Sequence, residues 1–311
     1  MTMNPTVQQS PTAAPRRALW PWYGALLLLA AAFWACYSFF VTTKLGQWID
    51  EAALRGGEAF LAADKTRGPA LAFLDHMPAA SALLAAGFIL FALVRRHDFV
   101  RPIVAGALLL GSAGSTQLLK HVVLERPDLN ISEASMNSFP SGHTTFAAAA
   151  MATIFIVTPV AHRPLLALLG WGYAAVAGAS TLVLGWHRPS DVIAAYLVVA
   201  WWSVLAGLFL RHAHGSSAAP ATTGNQTRAA PERILRFLAI LGIPMAAGAL
   251  ALAVAMPHPA IGTVGNVQLL LFLAVGLALV LGTAMVAGQF VHVLFARYGA
   301  PIRRRFVRGM K

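Results

Sequence analysis

The chain of 311 residues is 58% hydrophobic and only 11% charged, with 23 Lys/Arg against 11 Asp/Glu and a net charge of +12. A soluble domain carries about 25% charged residues, so this chain cannot coat a water-facing surface, and disorder demands the opposite bias. The single Cys36 excludes an intrachain disulfide and a cysteine-built zinc site, which leaves a polytopic membrane protein.

A spanning helix needs about 20 apolar residues, because a ~30 Å hydrocarbon core is crossed at ~1.5 Å per residue. Eight stretches are read as spans, in chain order: Leu19–Val41, Ala79–Val94, Ile103–Leu119, Thr144–Val160, Leu165–Trp186, Val192–Leu210, Phe237–Met256 and Leu269–Phe295. The first follows Arg16-Arg17, as a secretory signal would. Its apolar run is long for a signal and lacks a small-x-small cleavage site, so it reads as a retained helix. After it, Lys44–His76 has Leu45, Trp48, Ile49 and Ala52 at helical spacing, interleaved with Asp50, Glu51 and Arg55. That pattern predicts an amphipathic helix in the membrane interface, either an anchor or a lid over a site on that side. Later, His212–Pro231 is rich in Ala, Ser, Thr, Gly and Pro and predicts a flexible linker. Gln289, polar inside the last span, is expected to hydrogen-bond between helices. The expected fold class is therefore an all-α integral membrane protein. Its parts are a tail at 1–18, a six-helix core at 19–210, a linker at 211–236 and a two-helix hairpin with a basic tail at 237–311.

The basic residues set the orientation. With a cytoplasmic N-terminus and eight spans, the outer segments hold Lys44, Arg55, Lys65, Arg67, Lys120, Arg126 and Arg188, and the other 16 of the 23 basic residues fall inside. The basic balance is then a topology signal joined to attraction for anionic lipid heads, and nucleic acid is an unnecessary partner. Both termini are expected in the cytoplasm, in a cell membrane.

Charge is scarce, so its clustering is informative. Two segments concentrate it, and both fall on the outer face in this topology. One runs from Lys120 through Arg126-Pro127 to Pro140-Ser141-Gly142-His143; the other is Ser180-Thr181 through His187-Arg188-Pro189-Ser190-Asp191. Ser141 suits an N-cap, and the free N–H groups of the helix start behind it form an anion site that Gly142 lets a ligand approach. His143 exchanges protons near neutrality. Lys120 and Arg126 add fixed positive charge. His187 and Asp191 are four apart, with Pro189 favouring a helix start, so one turn brings carboxylate to imidazole. Two histidines, an anion cradle and an Asp-oriented ring describe phosphoryl transfer through a phosphohistidine.

These residues resemble the type 2 phosphatidic acid phosphatases, whose fold is shared with vanadium haloperoxidases. That family's signature is K-x6-R-P, then P-S-G-H, then S-R-x5-H-x3-D. Pro140 to His143 match the second part residue for residue, and Ser180, His187 and Asp191 match the third in spacing. The resemblance covers roughly residues 19–210. It implies a six-helix bundle with a metal-free, cofactor-free site at the outer face. It also implies that His187 is the nucleophile, Asp191 its partner and His143 the general acid, with Lys120, Arg126, Ser141 and Gly142 binding phosphate. Two departures stand out: the first motif is one residue short, and Thr181 replaces the family arginine. Arg188, the other basic residue of that segment, is expected to take over part of the missing charge. The reading that follows is a membrane lipid phosphatase whose partners are a lipid phosphate and the bilayer. Its candidate substrates are phosphatidic acid, phosphatidylglycerol phosphate and polyprenyl phosphate or diphosphate. A phosphotransferase with a non-water acceptor and a non-catalytic scaffold or transporter are the alternatives.

Overall fold

The computed structural model describes residues 19–63, 67–96, 99–132, 137–214 and 226–298. The tail 1–18, the middle of the expected linker at 215–225 and the basic tail 299–311 lie outside the described residues. Among the described residues there are nine α-helices: α1 Trp20–Cys36, α2 Lys44–Ala63, α3 Arg67–Arg96, α4 Val100–Leu118, α5 Gly142–Val157, α6 Arg163–Val183, α7 Pro189–His214, α8 Gln226–Ala255 and α9 Asn266–Tyr298. A π-helical turn extends α1 over Tyr37–Val41 and another extends α4 over Leu119–Val123.

Seven helical stretches are long and apolar enough to cross a membrane: Trp20–Val41, Leu74–Val94, Val100–Val123, Arg163–Val183, Pro189–Ala213, Ala229–Ala255 and Asn266–Tyr298. Their outer faces carry large exposed apolar side chains, such as Leu27, Leu83, Leu110, Ile240 and Val267, which lipid would cover. The eighth expected span, α5, has only 16 residues. Ser141 caps its start and Thr158 turns extended at its end, so the helix measures about 24 Å. It packs against α3, α4, α6 and α7. A helix sheathed by protein need not match the bilayer alone, because non-helical backbone at its ends is tolerated where protein buries it.

Three other expectations shift. Lys44–Ala63 does form a helix, but not one lying on a surface: Gln47, Trp48, Ile49, Asp50, Glu51, Ala52 and Ala53 are all buried. It is wedged against α6 and α9. Helix α3 begins at Arg67, well before the expected span, because Leu74 and Met77 continue its buried face through Pro78. Helix α8 begins at Gln226, inside the expected linker, and Glu232 and Arg236 pair across one turn at 3.7 Å. Its polar first turns read as linker by composition, yet Gln226, Arg228, Ala229, Ala230, Glu232 and Arg233 are good helix formers that carry the helix through Pro231.

Helices α5 and α7 occupy the centre. Helix α1 packs along α7, and α9 packs on α2, α6, α7 and α8. At one end Trp22 of α1 meets Phe295 of α9 edge-on at 5.2 Å. Nearby, the buried Arg163 donates to the carbonyls of Thr158 and Ile156 at the end of α5, where a cation suits the helix dipole. Gln289 Oε1 is buried with no hydrogen-bond partner among the described residues; it lines a cavity with Glu232, Arg236, His292 and Arg297 rather than bridging two helices.

Candidate functional site

The site lies at the junction of the C-terminal end of α4, the start of α5 and the turn between α6 and α7. A cavity of about 360 Å³ opens there, lined by Lys120, Gly142, His143 and His187 together with Thr116 and Thr145. The His143 and His187 rings face each other across it with centroids 6.3 Å apart. Trp186 flanks the His143 ring at 5.4 Å.

Helix α5 starts here for local reasons. Ser141 is extended, and its Oγ accepts the Thr144 N–H at 3.3 Å. The N–H groups of Gly142 and His143 have no acceptor within their own helix, and both residues line the cavity. Ser141 N–H donates to the Asp191 carbonyl at 2.9 Å, which ties this helix start to α7. Phe139, ahead of a cis Phe139–Pro140 peptide, packs between Phe33 and Tyr37 of α1.

The turn that carries His187 is built on Gly185, whose φ of +70° favours glycine. Trp186 and His187 both donate their N–H groups to the Thr181 carbonyl, at 2.9 and 3.2 Å. Thr181 itself is fully buried and its hydroxyl donates to Gly178 O. Asp191, in the first turn of α7, is also fully buried. Its Oδ2 accepts from the Ser138 hydroxyl at 2.7 Å, the Arg188 N–H at 3.1 Å and His187 Nδ1 at 3.2 Å. A carboxylate only accepts, so this contact favours the imidazole tautomer that carries its proton on Nδ1.

Arg126 is reached despite the short first motif. Its side chain is 5% exposed and Nη2 lies 3.5 Å from Asp50 Oδ2. All three guanidinium nitrogens are buried without a hydrogen-bond partner, which leaves them as donors for an oxyanion, although Arg126 is not among the residues lining the cavity. Arg188 is placed differently. It is buried, is not among the residues lining the cavity, and commits its guanidinium to protein oxygens: Glu51 Oε2, Ser138 Oγ and Ser132 Oγ. The structure thus gathers Lys120, Gly142, His143 and His187 on one cavity wall. It sets Ser141 and Asp191 directly behind them, Arg126 in an adjoining buried cluster, and Arg188 against α2.

Sequence reasoning passed over Asp50, Glu51, Ser138 and Ser190. The available signal was that Gln47, Asp50 and Glu51 stand at helical spacing in a chain poor in charge. The carboxyl of Asp50, outside the spanning segments, is pushed up to about 7, chiefly by burial, with Arg126 pulling back against it. Among the described residues, no three His, Cys, Asp or Glu side chains are grouped to hold a metal ion.

Comparison with known families matches residues 103–214 to the PAP2 superfamily. The chain carries a PAP2 superfamily domain. The PAP2 match runs from within α4 to the end of α7, so it contains Lys120, Arg126, His143, His187 and Asp191 but neither α2 nor α9. No curated protein and no solved structure matches the chain. A multi-pass membrane protein with a PAP2 domain is consistent with a lipid phosphatase acting on a phosphate ester.

Proposed function

We propose that this protein is a membrane lipid phosphatase that works through a phosphohistidine at His187. The observation that carries the reading is the pair of histidines facing each other at 6.3 Å across a cavity shared with Lys120, one of them bonded through Nδ1 to a buried Asp191.

The steps follow from that arrangement. His187 Nε2 attacks phosphorus, the P–N bond forms and the bond to the lipid oxygen breaks. His143, protonated, gives its proton to the leaving oxygen. Asp191 holds the ring in place and stabilises the positive charge that develops on it. A water then attacks the phosphohistidine as His143 takes its proton, the P–N bond breaks, and inorganic phosphate leaves with His187 restored. Lys120, Arg126 and the N–H groups at the start of α5 hold the phosphoryl oxygens, where negative charge spreads in the transition state. The Ser141 side chain acts by capping that helix start. Arg188 acts through its partners.

The bundle is read as the six spanning helices α1 and α3–α7, with α8 and α9 as an added hairpin. The site is read as facing away from the cytoplasm, since that orientation keeps most of the basic residues inside. The lipid head group then enters the cavity from the outer side while the tail stays in the bilayer. Phosphate release by the purified protein from a panel of phosphatidic acid, phosphatidylglycerol phosphate and polyprenyl phosphates tests the reading. Release without an acceptor is expected. Release only with an added acceptor alcohol identifies a transferase, and no release from any member identifies a non-catalytic protein.

A further inference from the structure

Helix α2 lies outside the PAP2 match, yet it brings two adjacent acids into the wall behind the site. Asp50 is fully buried and Glu51 is 5% exposed. Burying a carboxylate is unfavourable unless it is paired and hydrogen-bonded, and an apolar pair would seat the helix more cheaply. Asp50 finds its partners among site residues, whereas Glu51 divides its carboxylate: Oε1 accepts from Arg55 Nε of its own helix at 3.3 Å and Oε2 turns to the site.

Glu51 Oε2 accepts from Arg188 Nε at 3.2 Å and Nη2 at 2.8 Å. Arg188 Nη1 donates to Ser138 Oγ at 3.0 Å, and the Ser138 hydroxyl donates to Asp191 Oδ2 at 2.7 Å. Asp191 Oδ2 holds His187 Nδ1. An unbroken chain of polar contacts therefore runs from α2 to the imidazole. Asp50 takes a second route. Its Oδ1 accepts the Ser190 N–H at 3.1 Å and its Oδ2 accepts the Ser190 hydroxyl, which fixes the first turn of α7 just before Asp191. The same Oδ2 lies 3.5 Å from Arg126 Nη2, balancing that charge without making a hydrogen bond to it, so the donors of Arg126 stay free.

The helix is held in place from behind. A Cβ at Gly57 would stand 2.6 Å from Leu182 O, and one at Gly276 of α9 would stand 2.8 Å from Pro189 Cγ and 3.1 Å from Ala53 Cβ. Helix α9 thus presses α2 against the turn that carries the site.

We infer that Asp50 and Glu51 are positioning residues for phosphoryl transfer: Glu51 orients His187 through Arg188, Ser138 and Asp191, and Asp50 presents Arg126 and seats the start of α7. This rests on the reading of His187 as nucleophile.

The experiment uses the full-length protein in detergent at about pH 8, where the Asp50 carboxyl has lost its proton, with phosphatidic acid micelles and inorganic orthovanadate as an anion probe. The variants are Glu51→Gln, Glu51→Asp, Asp50→Asn, the double variant Glu51→Gln with Arg188→Gln, and His187→Ala as comparator. Glu51→Gln and Asp50→Asn are expected to lower kcat about tenfold or more without raising KM to match, the sign of an effect confined to the transition state. Glu51→Asp, which keeps the ion pair, should recover part of the rate. If Glu51→Gln does not fold because Arg188 is left unpaired, the double variant removes both charges and decides the matter. A folded double variant that stays slow upholds the inference, and one that turns over at the wild-type rate overturns it. Folded Asp50→Asn and Glu51→Gln within about threefold of wild type in kcat, with His187→Ala inactive, overturn this inference alone. Should wild type release no phosphate from phosphatidic acid, orthovanadate affinity serves as the readout. An Asp50→Asn protein that binds it within about twofold of wild type then overturns the role given to Asp50. His187→Ala that still releases phosphate brings down the proposed function itself.

Discussion

Glu51 and Arg188 are 137 residues apart in the chain, yet two guanidinium nitrogens meet one carboxylate oxygen at 3.2 and 2.8 Å. That contact joins a helix outside the PAP2 match to the turn that carries His187 and Asp191. It makes the site a product of the whole helical assembly rather than of three motifs.

Replacing either histidine should stop turnover. His187→Ala removes the proposed nucleophile. His143→Ala removes the proposed general acid, a contribution commonly about 100- to 10,000-fold. Because the two act in one sequence of steps, the double variant should be little slower than the slower single one. Initial rates of phosphate release on folded protein check this, and strictly additive losses would separate the two roles.

The pH dependence should carry the mark of Asp50. Its carboxyl, raised to about 7 mainly by burial, faces Arg126, Asp191 and Arg188, with the Cys36 thiol of α1 close to the Ser190 carbonyl. The folded protein therefore keeps this proton across a window, from the ordinary aspartate value of 3.8 up to about 7, where the unfolded chain has lost it. Native stability from this group falls as pH rises through that window, since the folded state binds more protons there. For activity, wild type below about pH 6 should resemble Asp50→Asn, and the ratio of their kcat/KM should rise above about pH 7 as the carboxylate forms. Taking the ratio on one substrate cancels the ionisation of the phosphate. A ratio that stays flat across this range would remove Asp50 from the account.

Gly276 should be intolerant of size although it touches no substrate. A Cβ there already crowds Pro189 and Ala53, so Gly276→Leu must push α9 away from α2. Overpacking of this kind typically costs about 1–3 kcal/mol. Activity should fall together with thermal stability in detergent, whereas Gly87→Leu on α3, where a Cβ meets nothing within 4 Å, should change neither. Equal effects of the two substitutions would mean that α9 does not support the site.

The orientation has a direct chemical readout. In a Cys36→Ala background, Glu125→Cys, at an exposed position beside Arg126, should react with an impermeant thiol reagent on intact cells. Ala213→Cys, exposed at the far end of α7 and about 36 Å along the helix from Pro189, should react only after lysis. The reverse order of labelling would place the site toward the cytoplasm.

Two contacts among the motif residues were legible in the sequence because they close within a few positions. Ser141 caps the helix that follows it, and His187 reaches Asp191 across one turn. The helices were legible as apolar windows, with ends misplaced wherever a helix ran on into polar residues, as at Arg67 and Gln226. Helix α2 was the real miss. Its mixture of acids and apolar residues at helical spacing is what an interfacial helix would show, and only the tertiary fold brings Arg126 and Arg188 to Asp50 and Glu51. For the same reason Arg188 was nominated for phosphate by its position beside His187, while its guanidinium is directed by a carboxylate 137 residues earlier.

The central claim is a phosphoryl group on His187, and the most direct measurement is to trap it. Full-length protein mixed with a ³²P-labelled lipid phosphate and quenched in alkali, where phosphohistidine survives and a phosphoserine ester does not, should retain label on the peptide containing His187. The label should disappear in His187→Ala and accumulate in His143→Ala if breakdown of the intermediate also needs that residue. Phosphate release at the wild-type rate with no label on His187, or label that persists in His187→Ala, would contradict the mechanism.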